Sequence, residues 1–64
     1  MIRVVRDTVG DTASVEAAGG AVTVLTEIVD EPEVYLIFTP AQARDLSDAL
    51  LAAAHEAETY GDPL

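Results

Sequence analysis

Phe38-Thr39-Pro40-Ala41-Gln42 divides the chain into two kinds of sequence. Before it, apolar residues alternate with polar ones, the period of a half-buried strand; after it, they recur every three or four positions, the period of an amphipathic helix. The five residues also carry the chemistry of a helix start. Thr39 offers a side-chain oxygen to the free N–H groups of a first turn. Pro40 suits the first helical position because its missing N–H has no partner to lose there. Gln42 stands where its side chain can reach back to the backbone of Thr39 and close a capping box. The stretch predicts a helix from Pro40 to about Thr59, preceded only by strands.

Upstream, turn-rich punctuation at Thr8 to Asp11, Gly19-Gly20 and Asp30 to Glu33 separates four alternating segments. These predict strands at Ile2 to Asp7, Thr12 to Ala18, Ala21 to Val29 and Val34 to Thr39. The expected fold is α+β, one domain over residues 1–64: a four-stranded antiparallel β-meander with one C-terminal helix packed on one face. Gly19-Gly20 accepts the positive φ values of a two-residue hairpin, so Ala18 should face Ala21, Ala17 Val22, and Val15 Val24. Pairing across Glu31-Pro32 would set Val29 opposite Val34, Glu27 opposite Leu36 and Leu25 opposite Phe38. Pairing across Thr8 to Asp11 would set Val4 opposite Val15 and Arg3 opposite Glu16.

Because successive strand residues point to opposite sides, these registers sort the sheet into two faces. Ile2, Val4, Ala13, Val15, Ala17, Val22, Val24, Ile28, Tyr35 and Ile37 should lie under the helix. The helix would meet them with Ala43, Leu46, Ala49, Leu50, Ala53, Ala57 and Tyr60, leaving Asp45, Asp48, Glu56 and Glu58 outward. The other face would carry Arg3, Ser14, Glu16 and Thr23 toward one edge, and Leu25, Val29, Val34, Leu36 and Phe38 toward the other. Gly61 is placed to end the helix and Pro63 forbids its continuation, so Asp62 to Leu64 reads as a short tail.

Composition narrows the function classes. Sixty-four residues, half of them hydrophobic, allow one folded domain with a small core that association would help. No apolar run approaches the ~20 residues of a membrane span, and no secretory leader is visible, so the expected location is cytoplasmic. Without cysteine there is neither a disulfide framework nor a thiolate metal site. Twelve acids against three arginines give a formal charge of −9, which repels nucleic acid. The absence of lysine and asparagine, with abundant alanine, suits a GC-rich genome.

Candidate chemistry is sparse. A catalytic base needs an orienting or reacting partner within hydrogen-bond reach, and His55 has only Leu51, Ala52, Glu58 and Thr59 as helical neighbours. It reads as a solvated structural histidine. Ser14, Ser47, Thr23 and Thr26 have no base placed beside them by any motif. Glu27, Asp30, Glu31 and Glu33 gather around one hairpin, but Pro32 interrupts them and the glycine-centred pattern of a calcium loop is missing, so they read as a solvated turn. Gly19-Gly20 opens no helix and precedes no lysine, which makes it a turn and not a phosphate loop. The expectation is a chain that is not an enzyme and takes no cofactor or metal.

The apolar half-face of Leu25, Val29, Val34, Leu36 and Phe38 is the candidate protein interface, since a small domain seldom leaves such a patch in water. It predicts a homodimer, with a host protein as a further partner.

From Phe38-Thr39-Pro40-Ala41-Gln42-Ala43 through Leu46, Ala49-Leu50-Leu51 and Ala52-Ala53-Ala54 to Glu56, the chain resembles small proteins of actinobacteria and their phages. In those a strand ending in a Leu-Thr-Pro type signature leads into an alanine-rich amphipathic helix. The resemblance covers the last half of the chain and implies no activity for any residue. It suits a non-catalytic protein-binding module, a phage or mobile-element accessory factor. The alternative is an acidic decoy that mimics nucleic acid and occupies a DNA-binding protein.

Overall fold

A computed structural model describes residues 1–60. Four strands, β1 (Ile2–Arg6), β2 (Thr12–Ala18), β3 (Ala21–Glu27) and β4 (Val34–Phe38), pair antiparallel in sequence order, and the helix α1 (Pro40–Tyr60) packs against the sheet. This is the α+β meander that the change of period predicts. The expected helix stop at Gly61 and Pro63, the tail that follows and the side chain of Tyr60 lie outside the described residues.

The capping box forms at the junction of sheet and helix. The N–H of Gln42 donates to Thr39 Oγ1 at 3.1 Å, the N–H of Thr39 donates to Gln42 Oε1 at 3.0 Å, and the N–H of Ala43 closes the first helical turn on the Thr39 carbonyl at 2.9 Å. Thr39 is therefore the cap and not the last strand residue. Beyond it, alanine supplies most of the helix propensity. The first turn holds no acid and the last turn no base, so the macrodipole gains nothing at either end.

The central hairpin has the expected register, with Ala18 opposite Ala21 and Val15 opposite Val24, and Gly19 and Gly20 take φ of 58° and 79° as a two-residue turn requires. Both outer strands depart from expectation. In β1 the pairing of Val4 with Val15 is displaced by one residue: Arg3 faces Val15 and Val4 faces Ser14. The cause is a three-residue loop where a four-residue one is expected. The N–H of Asp7 donates to the Asp11 carbonyl at 2.8 Å, Asp7 Oδ1 accepts the N–H groups of Val9 and Asp11 at 2.9 Å each, and Gly10 supplies a φ of 91°. These are the parts of a tight turn closed by a left-handed glycine.

In β4 the displacement is three residues. Thr26, not Val29, faces Val34, and Val22 faces Phe38. β3 stops at Glu27 because Ile28 and Val29 are taken into a turn. The N–H of Glu31 donates to the Ile28 carbonyl at 3.1 Å, Asp30 adopts a left-handed φ of 64°, and the N–H of Val29 goes to Asp11 Oδ1 at 3.2 Å and not to a neighbouring strand.

A displacement by an odd number of residues inverts a strand. Arg3, Val5, Val34, Leu36 and Phe38 therefore face the helix, while Ile2, Val4, Tyr35 and Ile37 face away from it. Ile28, expected under the helix, lies in the loop.

The capping box generates a stability test. Thr39→Ala should lower stability by about 1 kcal/mol in urea unfolding, and adding Gln42→Ala should cost less than the sum of the single changes because the two bonds form one reciprocal unit. Strictly additive losses would mean that the two bonds act independently.

Candidate protein-binding surfaces

No described residue is buried, a consequence of dimensions. A helix of 21 residues is about 31 Å long, against about 15 Å across four strands and about 24 Å along the longest of them. Its backbone comes close only to β3 and β4, and it stands across an open cleft from β1 and β2. The radius of gyration, 13.4 Å, exceeds the about 11 Å of a compact chain of this length.

Between helix and sheet lies an open cleft of about 570 Å³. Its sheet wall is Arg3, Val5, Val15, Val22, Val24 and Phe38. Ala43, Leu46, Ser47, Leu50 and Leu51 form the helix wall. Leu50 thus meets the Val24 side of the sheet as expected, whereas Ile37 points to the opposite face. The cleft continues across β1 and β2 toward Met1 and Ala17, in an adjoining hollow that shares Arg3, Val5, Val15 and Val22. The walls remain wet: Val5 is 60%, Leu50 62% and Leu51 68% exposed.

The opposite face presents Ile2, Val4, Leu25, Tyr35 and Ile37, with Ile37 at 70% exposure. A shallow hollow there is lined by Ser14, Glu16, Thr23 and Glu27 beside Ile2, Leu25 and Tyr35. Apolar residues occupy its outer strands, and its centre is polar apart from Leu25.

The five residues expected to form one interface do not share a face. Leu25 lies on the open face; Val34, Leu36 and Phe38 lie on the helix side; Val29 sits in the β3–β4 loop, bonded through its N–H to Asp11. The inverted outer strands replace that patch with two others. The missed signal is Asp7-Thr8-Val9-Gly10, an Asp at the first and a Gly at the fourth position of a turn, which fixes the short loop that inverts β1.

Chemistry is not assembled around the remaining candidates. The carbonyl of His55 accepts the hydroxyl of Thr59 at 2.9 Å, an ordinary bond within one helix. Thr23 and Thr26 spend their hydroxyls on the carbonyls of Glu16 and Val34 at 3.3 and 3.4 Å. Ser14 stands on the open face and Ser47 in the cleft wall. Among the described residues no three His, Asp or Glu side chains converge closely enough to hold a metal ion, and no helix is long and apolar enough to cross a membrane.

Charge is distributed unevenly. In a meander the β1–β2 and β3–β4 loops leave the same end of the sheet, and the bond from Val29 to Asp11 ties them together. Asp7, Asp11, Glu27, Asp30, Glu31 and Glu33 therefore gather at that end, with Arg6 bonded to the Gly10 carbonyl beside them. The apolar cleft, which extends toward Met1, Ala17, Val22 and Phe38, belongs to the Gly19-Gly20 end.

Comparison of the chain with protein families, curated proteins and solved structures found no match.

Exposure orders the expected cost of truncating the cleft. Phe38→Ala removes a partly buried ring at the root of the helix and should cost about 2 kcal/mol or more, whereas Leu50→Ala in an isolated chain should cost less than about 1 kcal/mol. Urea unfolding of both variants at one dilute concentration tests the order. The reverse ranking would mean that something covers Leu50.

Proposed function

We propose that the chain is a small cytoplasmic protein-binding module without catalytic activity, homodimeric, and an accessory factor of phage or mobile-element type that acts on a host protein. One observation carries this reading. The chain exposes 5404 Å², whereas a compact monomer of its 6.7 kDa would expose about 3,900 Å². The difference, about 1,500 Å² per chain, falls in the range that stable protein complexes bury, about 800 Å² per partner for ordinary ones and more for obligate ones. Apolar side chains supply much of the exposed surface: Ile2, Val4, Val5, Tyr35, Ile37, Leu50 and Leu51 are all at least 58% exposed. The accessory role is carried over from the resemblance read in the last half of the sequence, to which the comparisons add nothing.

The second reading, an acidic decoy for a DNA-binding protein, draws on the charge of −9 and on the carboxylates gathered at one end of the sheet. That acidic end is small beside the apolar surface, so the module remains the better supported reading.

Salt separates the two. Contacts made by apolar surface between molecules of like charge strengthen as screening relieves repulsion, while contacts between carboxylates and a basic protein weaken. Sedimentation equilibrium should show a dimer that tightens from low to high ionic strength, and a captured host protein should survive a high-salt wash yet be lost with Ile37→Asp. A monomer at every concentration would remove the homodimer; a partner released by salt and displaced by DNA would favour the decoy.

A further inference from the structure

We infer that the homodimer forms through the cleft on the helix side, where the second copy's helix seats over β1 and β2, and that the opposite face stays free for another protein. The inference rests on the homodimeric reading above and specifies its surface.

Three observations select this occupant. First, the unoccupied part of the groove has the form of what the chain itself can offer. Each helix comes close only to β3 and β4 and faces Arg3, Val5 and Val15 across an open cleft. The hollow that continues the cleft to Met1 and Ala17 has no helix residue in its lining among the described residues, and a two-fold partner brings a helix to it. The projecting helix matches it. Leu50 and Leu51 are exposed, and beyond them the chain reads Ala52-Ala53-Ala54, small enough for a close approach to strands or to a second helix. Second, the area agrees. The chain exposes about 1,500 Å² more than a compact monomer of its mass, and a dimer that removed that much from each subunit would fall in the range of obligate interfaces.

Third, charge distinguishes the two apolar faces. Twelve acids are spread over the chain, yet among the described residues none lines the cleft or the hollow that extends it, and Arg3, one of three arginines in the sequence, does. The helix of a second copy brings Asp45, Asp48, Glu56 and Glu58, and the lining it would meet sets no carboxylate against them and offers Arg3. On the open face the central hollow holds Glu16 and Glu27. A two-fold contact through that face would bring four carboxylates into a shared interface, a like-charge arrangement that disfavours self-pairing. It does not disfavour a partner of opposite charge. Pairing through the groove at the Gly19-Gly20 end also leaves the six carboxylates of the loops at the far end of each sheet.

The test compares one substitution on each face. Leu51→Asp places a charge in the groove and Ile37→Asp places one on the open face, and both positions are exposed in the single chain, at 68% and 70%. Sedimentation equilibrium should find wild type and Ile37→Asp dimeric with similar affinity, and Leu51→Asp weakened at least about 100-fold. The chain has no cysteine, so a nitroxide can be attached at Ser47→Cys in the cleft wall or at Ile37→Cys without competing sites. On raising the protein concentration, the Ser47→Cys label should become shielded from a water-soluble relaxation agent and the Ile37→Cys label should not. This second readout holds even if Leu51→Asp fails to fold. Loss of the dimer in Ile37→Asp, with shielding of the Ile37→Cys label, would overturn the groove while leaving a homodimer. A wild-type monomer throughout, with neither label shielded, would overturn the groove and the homodimeric reading together.

Discussion

A sheet has two faces, and a single helix can shield only one of them. Here it shields only part of one, because α1 approaches β3 and β4 alone and runs longer than the sheet in either direction. Everything else about the molecule depends on that limit. With no described residue buried, the hydrophobic effect has little interior on which to act, and burial of apolar area is the main favourable contribution to folding. What remains is local: the hydrogen-bond ladder, three turns with well-suited residues, alanine in the helix and a reciprocal cap at its start. Such interactions give a chain its shape more readily than its stability, so completing the helix-side layer is a matter of folding as much as of recognition.

The element order and the central hairpin were legible because each rests on residues adjacent in sequence. The change of period at Phe38 to Gln42 locates the helix, and Gly19-Gly20 sets the pairing of β2 with β3 to the residue. The outer registers were harder because two-sided apolar strands do not reveal which side is inside. In β1, Ile2 and Val4 point one way and Val5 the other; in β4, Tyr35 and Ile37 alternate with Val34, Leu36 and Phe38. Alternation then gives no preference between a register and its neighbour, and the loops decide. The β1–β2 turn was readable in principle from Asp7 and Gly10. The β3–β4 loop was not, since its shape depends on Asp30 accepting a left-handed φ and on a bond from Val29 to Asp11, 18 residues away in sequence.

The candidate interface failed as a surface for the same reason. Leu25, Val34, Leu36 and Phe38 are all apolar and all near the chain's surface, but inverting β4 against β3 parts the first from the other three. Apolar surface beyond what one helix covers is present all the same, because it depends on composition and topology, not on register. The inverted register changes where that surface lies and which charges border it. It draws Arg3 into the helix-side groove and leaves Glu16 and Glu27 on the open face.

That redistribution gives the two faces different electrostatics. Among the described residues the helix-side groove is bordered by one cation and no carboxylate, so a second acidic chain would meet little electrostatic opposition there. The open face has apolar residues on its outer strands and two glutamates at its centre, a charge that would oppose a copy of itself and not a partner of opposite sign. The sign of the central charge is therefore what distinguishes two faces that are otherwise both apolar. Because strand parity assigns each side chain to its face, the turns that set parity also set this division. The carboxylate of Asp7, holding two backbone N–H groups in a three-residue loop, does more to place Arg3 in the groove than any contact Arg3 itself makes.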